Sequence, residues 1–311
     1  MLKLERNVGK AKGTRVNIIL KWLSTNGKEM MSNIISVSPN EQSLPEDLDL
    51  IEDIAYEGPD GASLAADVYR PKNRTADPLP IAVFVHGGGL FVGSRKANRE
   101  FAGLLARRGY VVFALSYRLI DEADGPHEIG DVCAGLTYLT AHAEEFGGDL
   151  SRVLLIGESA GGFLGLYATA ACGSPYLRET LGIEAPDLRI RGLACFGGMF
   201  YTARFDPIGI TYRRDLYGEH VKDEAFMELI NPEDSRVETS LPPVFMVASK
   251  DDFLKGYTQR LNDAYTRAGH DHRLVYFPHG KELTHAFPSL QPGLPQSKVV
   301  LEELDGWFRK L

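Results

Sequence analysis

Val153-Leu154-Leu155-Ile156-Gly157-Glu158-Ser159-Ala160-Gly161-Gly162 runs from an apolar strand, through a glycine-flanked serine, into a helix of small residues, Ala160 to Ala171. Gly-x-Ser-x-Gly alone arises by chance in roughly one chain in six of this composition. Its setting gives it meaning. A serine on a sharp strand-to-helix turn is held in strained backbone with its hydroxyl above the sheet. Glycines must flank it, because a Cβ there would strike the neighbouring strand or helix. The helix opening at Ala160 also points its positive N-terminal dipole at the serine.

Outward from this stretch, strand-like and helix-like segments alternate. Strands are expected at Ala62–Tyr69, Ile81–Val85, Tyr110–Leu115, Val153–Ile156, Ile190–Phe196, Val244–Ala248 and Leu274–Phe277. Helices are expected at Asn98–Arg108, Ile129–Phe146, Ala160–Ala171, Tyr257–Ala268 and Lys298–Lys310. Several strands are continuous apolar runs, as strands covered on both faces should be. The alternation implies an α/β fold, a mostly parallel sheet with helices on both faces. One connection, residues 197–242, is far longer than an ordinary loop and carries Phe200, Tyr201, Phe205, Tyr212, Tyr217 and Phe226. It reads as a lid, with most of these aromatics filling its own core.

The 311 residues, 44% hydrophobic and 24% charged, describe a globular chain and exclude disorder, collagen and coiled coil as a whole-chain description. The net charge of −8 argues against a nucleic-acid partner. The basic excess lies in the first 30 residues, at +5. That stretch reads as a helical appendage over the main domain, with a membrane-surface helix as the alternative. No run is long enough to span a bilayer, so stable membrane insertion is not expected. Cys133, Cys172 and Cys195 are too sparse for a disulfide framework and fit a cytoplasmic setting. The composition leaves a homodimer open.

The chemistry gathers at strand ends, where open α/β sheets place their sites. His86-Gly87-Gly88-Gly89 follows Ile81–Val85. Glycines let bare backbone N–H groups approach a tetrahedral oxyanion, with Gly87, Gly88 and Ala160 as the expected donors. His86 reads as an anchor of that loop. A serine nucleophile needs a base, and the base needs an orienting acid, in the order Ser, acid, His. Asp251 and Asp252 follow one strand; His279 and His285 follow the next. Spacing does not choose within either pair. His270-Asp271-His272 is a weak metal candidate without cysteine support. No Walker loop and no helix-opening Gly-x-Gly-x-x-Gly is present. Neither a cofactor nor a metal is expected.

The chain resembles the α/β-hydrolases of the hormone-sensitive-lipase-like branch, the bacterial esterases with a His-Gly-Gly-Gly loop. The likeness covers about residues 50–311. It is carried by His86-Gly87-Gly88-Gly89, Val92-Gly93, Tyr117-Arg118-Leu119, Gly157-Glu158-Ser159-Ala160-Gly161-Gly162, Asp252-Phe253-Leu254 and His285-Ala286-Phe287. The resemblance implies an eight-stranded α/β-hydrolase sheet with a helical lid, divided as a lid segment 1–48 and a catalytic domain 49–311 with its insertion at 197–242. It selects Ser159, Asp252 and His285 as the triad. Departures are Ile120-Asp121-Glu122 where the family has Ala-Pro-Glu, Glu158 where many members have Asp, and Lys281-Glu282-Leu283 before the base.

The implied activity is a serine carboxylesterase on short-chain acyl or small aromatic esters, with acetyl or feruloyl esters of decorated sugars as a variant. An amide hydrolase, formamidase or peptidase-like, and a non-catalytic ligand-binding protein on the same fold are the competing classes. Phe91, Phe200, Tyr201, Phe205 and Phe287 are candidates for the substrate pocket.

Overall fold

The computed structural model describes residues 45–73, 77–280 and 282–311. Eight strands form one sheet: β1 (Leu48–Glu57), β2 (Ser63–Pro71), β3 (Leu79–Val85), β4 (Val111–Leu115), β5 (Gly148–Glu158), β6 (Ile190–Phe196), β7 (Val244–Ser249) and β8 (His272–Phe277). Their order across the sheet is β1-β2-β4-β3-β5-β6-β7-β8. β2 is antiparallel to β1 and β4; every other pairing is parallel.

The central strands show why the sequence reads as unbroken apolar runs. Along β3, Ile81, Val83 and Val85 enter one core, while Ala82 and Phe84 enter the other. Successive side chains of a strand alternate faces, so a strand covered twice must be apolar at every position. Among the described residues, six longer helices surround the sheet: α1 (Arg99–Arg107), α2 (Gly125–Phe146), α3 (Ala160–Gly173), α4 (Pro207–Tyr217), α5 (Lys255–Ala268) and α6 (Pro295–Phe308). α2, α3 and α5 build the first core; α1 and α6 build the second.

Two local differences from the sequence expectation have clear causes. β1 was not among the strands read from sequence. Its two-residue period breaks at a register shift between Ile51 and Ile54, where Asp53 sits at φ 57°. α2 begins at Gly125, not Ile129. Gly-Pro reads as a breaker, yet the Asp124 carboxylate caps the His127 N–H at 3.2 Å and Pro126 occupies the first turn, where proline is tolerated.

Most of the anticipated N-terminal lid segment, residues 1–44, lies outside the described residues. The long connection folds into α4, two short helices (Glu224–Leu229 and Ser235–Glu238) and a 3-10 turn. Tyr212, Leu216, Tyr217 and Phe226 are buried there, and α4 packs on α2.

Candidate active site

Ser159 joins β5 to α3 with φ 51° and ψ −116°. Such a conformation costs a non-glycine residue on the order of 1–3 kcal/mol and persists only where its surroundings impose it. Here they do. A Cβ on Gly157 would lie 2.3 Å from the Gly161 carbonyl oxygen. One on Gly161 would lie 2.1 Å from the Val85 carbonyl oxygen at the end of β3. The Ser159 N–H donates to Phe196 O at 2.9 Å, and its carbonyl accepts from Met199 N–H at 2.8 Å. The turn is thereby tied to the end of β6.

Between those two contacts lies Gly197, at φ 58°. A Cβ there would stand 2.6 Å from Asp252 Oδ2 and 2.9 Å from His285 Nδ1. The serine turn and the acid–base pair therefore meet across one bare backbone position. The acids and histidines that spacing left open differ in burial. Asp252 and His285 are buried, with His285 Nδ1 donating to Asp252 Oδ1 at 2.7 Å. Asp251 and His279 are exposed. Asp252 Oδ1 also accepts the Leu254 N–H at 2.7 Å. The hydroxyl of Ser249, at the end of β7, accepts the Asp252 N–H at 3.1 Å and donates to the Leu283 carbonyl. With Nδ1–H committed to Asp252, Nε2 is the free lone pair. It is buried and takes no hydrogen bond among the described residues.

The glycine loop after β3 lies over the serine: a Cβ on Gly87 would be 3.0 Å from Ser159 Cβ. His86 braces this loop, its Nδ1–H donating to Gly87 O at 2.7 Å. Burial pushes the His86 imidazole down to about 4, which keeps it neutral. Tyr117 stacks on that ring at 4.3 Å and donates its hydroxyl to His86 O at 3.0 Å. Arg118, its neighbour, holds buried Asp131 of α2 through Nε and Nη2, at 2.9 and 2.7 Å. From above, Tyr212 of α4 donates its hydroxyl to Gly89 O at 2.6 Å.

The expected set of oxyanion donors needs one correction. The Gly87 N–H is already given to Glu158 Oε1 at 3.2 Å. The N–H groups of Gly88 and Gly89, by contrast, meet no acceptor among the described residues. Gly88 holds φ 115°, and a Cβ there would lie 1.8 Å from Val92 O. The Ala160 N–H opens α3, where a helix leaves its first amides without partners. Gly88, Gly89 and Ala160 are thus the amides left for an anion. Nothing in a run of three glycines tells which N–H is already spent.

The anticipated pocket aromatics are spread out. Phe91 packs on Tyr212 with ring centroids 5.5 Å apart. Phe200 is buried against Gly198. Tyr201 is buried edge-on to Tyr257. Phe205 is 83% exposed, with Arg213 stacked over it. Phe287 faces Phe277 in the second core. The nitrogens of His270 are taken by Glu238 Oε1 and Pro242 O.

Comparison with known proteins agrees with this architecture. The BD-FAE family model matches residues 66–185, the span from β2 to the end of α3 and just beyond. Esterase LipC of Mycobacterium tuberculosis is 35% identical over 126 residues, 40% of this chain and 31% of that protein. Versiconal hemiacetal acetate esterase of Dothistroma septosporum is 26% identical, over 78% of this chain and 76% of its own. The chain spans about a third or less of the length of the first curated relatives it matches. Among solved structures, esterase B of Lactobacillus rhamnosis superposes with a TM-score of 0.82 at 22% identity, covering 96% of each chain. Sheet order and solved neighbours agree on an α/β-hydrolase fold, and over part of its length the chain is similar to proteins named as esterases.

Proposed function

We propose that this protein is a serine carboxylesterase acting on short-chain acyl or small aromatic esters. One observation carries the reading. A buried Asp252–His285 pair leaves His285 Nε2 unpartnered, beside a serine turn over which a bare glycine loop presents free amides. His285 takes the Ser159 proton, and Ser159 attacks the ester carbonyl. The Gly88, Gly89 and Ala160 amides receive the oxyanion. His285 then protonates the leaving alcohol, and water releases the acyl group by the same steps. Asp252 fixes the imidazole tautomer and stabilises its cation. The acetate-ester specificity in the name of the Dothistroma relative supports a small acyl group; acetyl or feruloyl esters of decorated sugars fall within the proposal.

Among the described residues no helix is long and apolar enough to cross a membrane. The three cysteines are free and buried, which supports a reducing, cytoplasmic setting.

The test is a p-nitrophenyl ester ladder from acetate to palmitate, run beside Ser159→Ala. Hydrolysis of the short esters is expected, with a loss of several orders of magnitude in the variant. Folded protein inactive on every ester but active on a formamide or anilide would favour the amide-hydrolase reading.

A further inference from the structure

Glu158, the residue before the serine, is buried and takes no step in the mechanism above. Its carboxylate is a meeting point of three chain segments. Oε1 accepts the Gly87 N–H at 3.2 Å. Oε2 accepts Asn98 Nδ2–H at 2.9 Å, from the turn that opens α1, and the Ser289 hydroxyl, four residues beyond His285. All three donors are turned inward, away from solvent.

We propose that Glu158 is a positioning residue that sets the register of the oxyanion loop and locks the His285 segment to the serine turn. This rests on the esterase reading. By capturing the first amide of the glycine run, Glu158 leaves the next two facing outward. Without that anchor, the loop's geometry depends on backbone with unusual freedom, since Gly88 and Gly89 both have positive φ. The bond to Ser289 runs to the short helix Phe287–Leu290, which starts two residues after His285. One side chain thus couples the oxyanion loop, the nucleophile and the base. A carboxylate suits the task because it accepts several hydrogen bonds while donating none.

Two variants of similar length separate this role from packing. Glu158→Gln keeps an oxygen for the Gly87 N–H; Glu158→Met fills the space without one. The readouts are kcat and KM on p-nitrophenyl acetate, and the Ki of a trifluoromethyl ketone, whose tetrahedral adduct carries the oxyanion. Removal of one oxyanion donor elsewhere costs roughly 10²–10³ in kcat. Glu158→Met is expected to lose about a hundredfold in kcat, with KM within about threefold and Ki raised in step. Glu158→Gln is expected to keep kcat within about tenfold of wild type, because its amide oxygen replaces the acceptor. A folded Gln variant that loses a hundredfold overturns the proposal even if the Met variant does not fold. So does a Met variant whose kcat is unchanged or whose defect lies in KM. Full activity in Ser159→Ala would instead overturn the esterase reading beneath it.

Discussion

His86 illustrates how a single buried group ties the loop's geometry to pH. Burial holds its imidazole at about 4, below the ordinary 6.5. Between those two values the unfolded chain binds a proton that the folded chain refuses. Stability from this residue is therefore complete above pH 6.5 and lost as pH falls to 4, a change on the order of 3 kcal/mol. Urea unfolding at pH 7 and pH 4.5 should show a smaller acid-side loss in His86→Asn than in wild type; equal losses would mean that His86 titrates freely. Gly197 is the second residue-scale case. Gly197→Ala places a methyl against Asp252 and His285 and should lower kcat more than tenfold. Gly182→Ala is the control. Its φ of 65° is equally unsuited to alanine, but no atom lies within 4 Å. It should cost on the order of 1 kcal/mol in stability and leave kcat unchanged. Activity assays and thermal melts of the two variants decide whether crowding of the pair, or backbone strain alone, is what matters.

At the scale of elements, α4 touches the glycine loop after β3 directly. Its Tyr212 hydroxyl is the link to Gly89, and the ring packs on Phe91. Tyr212→Phe keeps the ring and removes the bond. A few-fold drop in kcat is expected, with a stability loss of about 1 kcal/mol, typical of one hydrogen bond. An unchanged kcat would confine α4 to packing. The elements also show what a sequence can reveal. β3, β4 and the Val153–Ile156 part of β5 were legible because strand residues buried on both faces are apolar, whereas the polar start of β5, with Asp149, Ser151 and Arg152, was not. β6 was read to its exact ends, Ile190–Phe196. β1 escaped because a register shift and four acidic residues, Asp49, Glu52, Asp53 and Glu57, disguise its alternation on an edge strand. The start of α2 was hidden by a Gly-Pro pair whose effect depends on the Asp124 cap.

For the molecule as a whole, the site is a product of strand ends that converge only after folding. The strained strand-to-helix turn at Ser159 was legible from its own stretch. That Asp252 and His285, and not Asp251 and His279, form a buried pair was not legible from spacing, because burial and the 2.7 Å contact are properties of the sheet order. The amide spent on Glu158 was invisible for the same reason. Packing on this scale also shields the thiols. Burial pushes Cys172 up to about 12, and Cys133 and Cys195 are raised further from reactivity by the same cause. Native protein should therefore react negligibly with a disulfide reagent, and unfolded protein should release all three thiols; rapid native reaction would mean that the helices over the sheet open readily. The most direct measurement of the catalytic claim is covalent labelling with a fluorophosphonate, followed by peptide mass mapping. One adduct per chain on Ser159 is expected, absent in Ser159→Ala. Folded protein that takes no adduct, or takes it on a different serine, would contradict the assignment of Ser159 as the nucleophile.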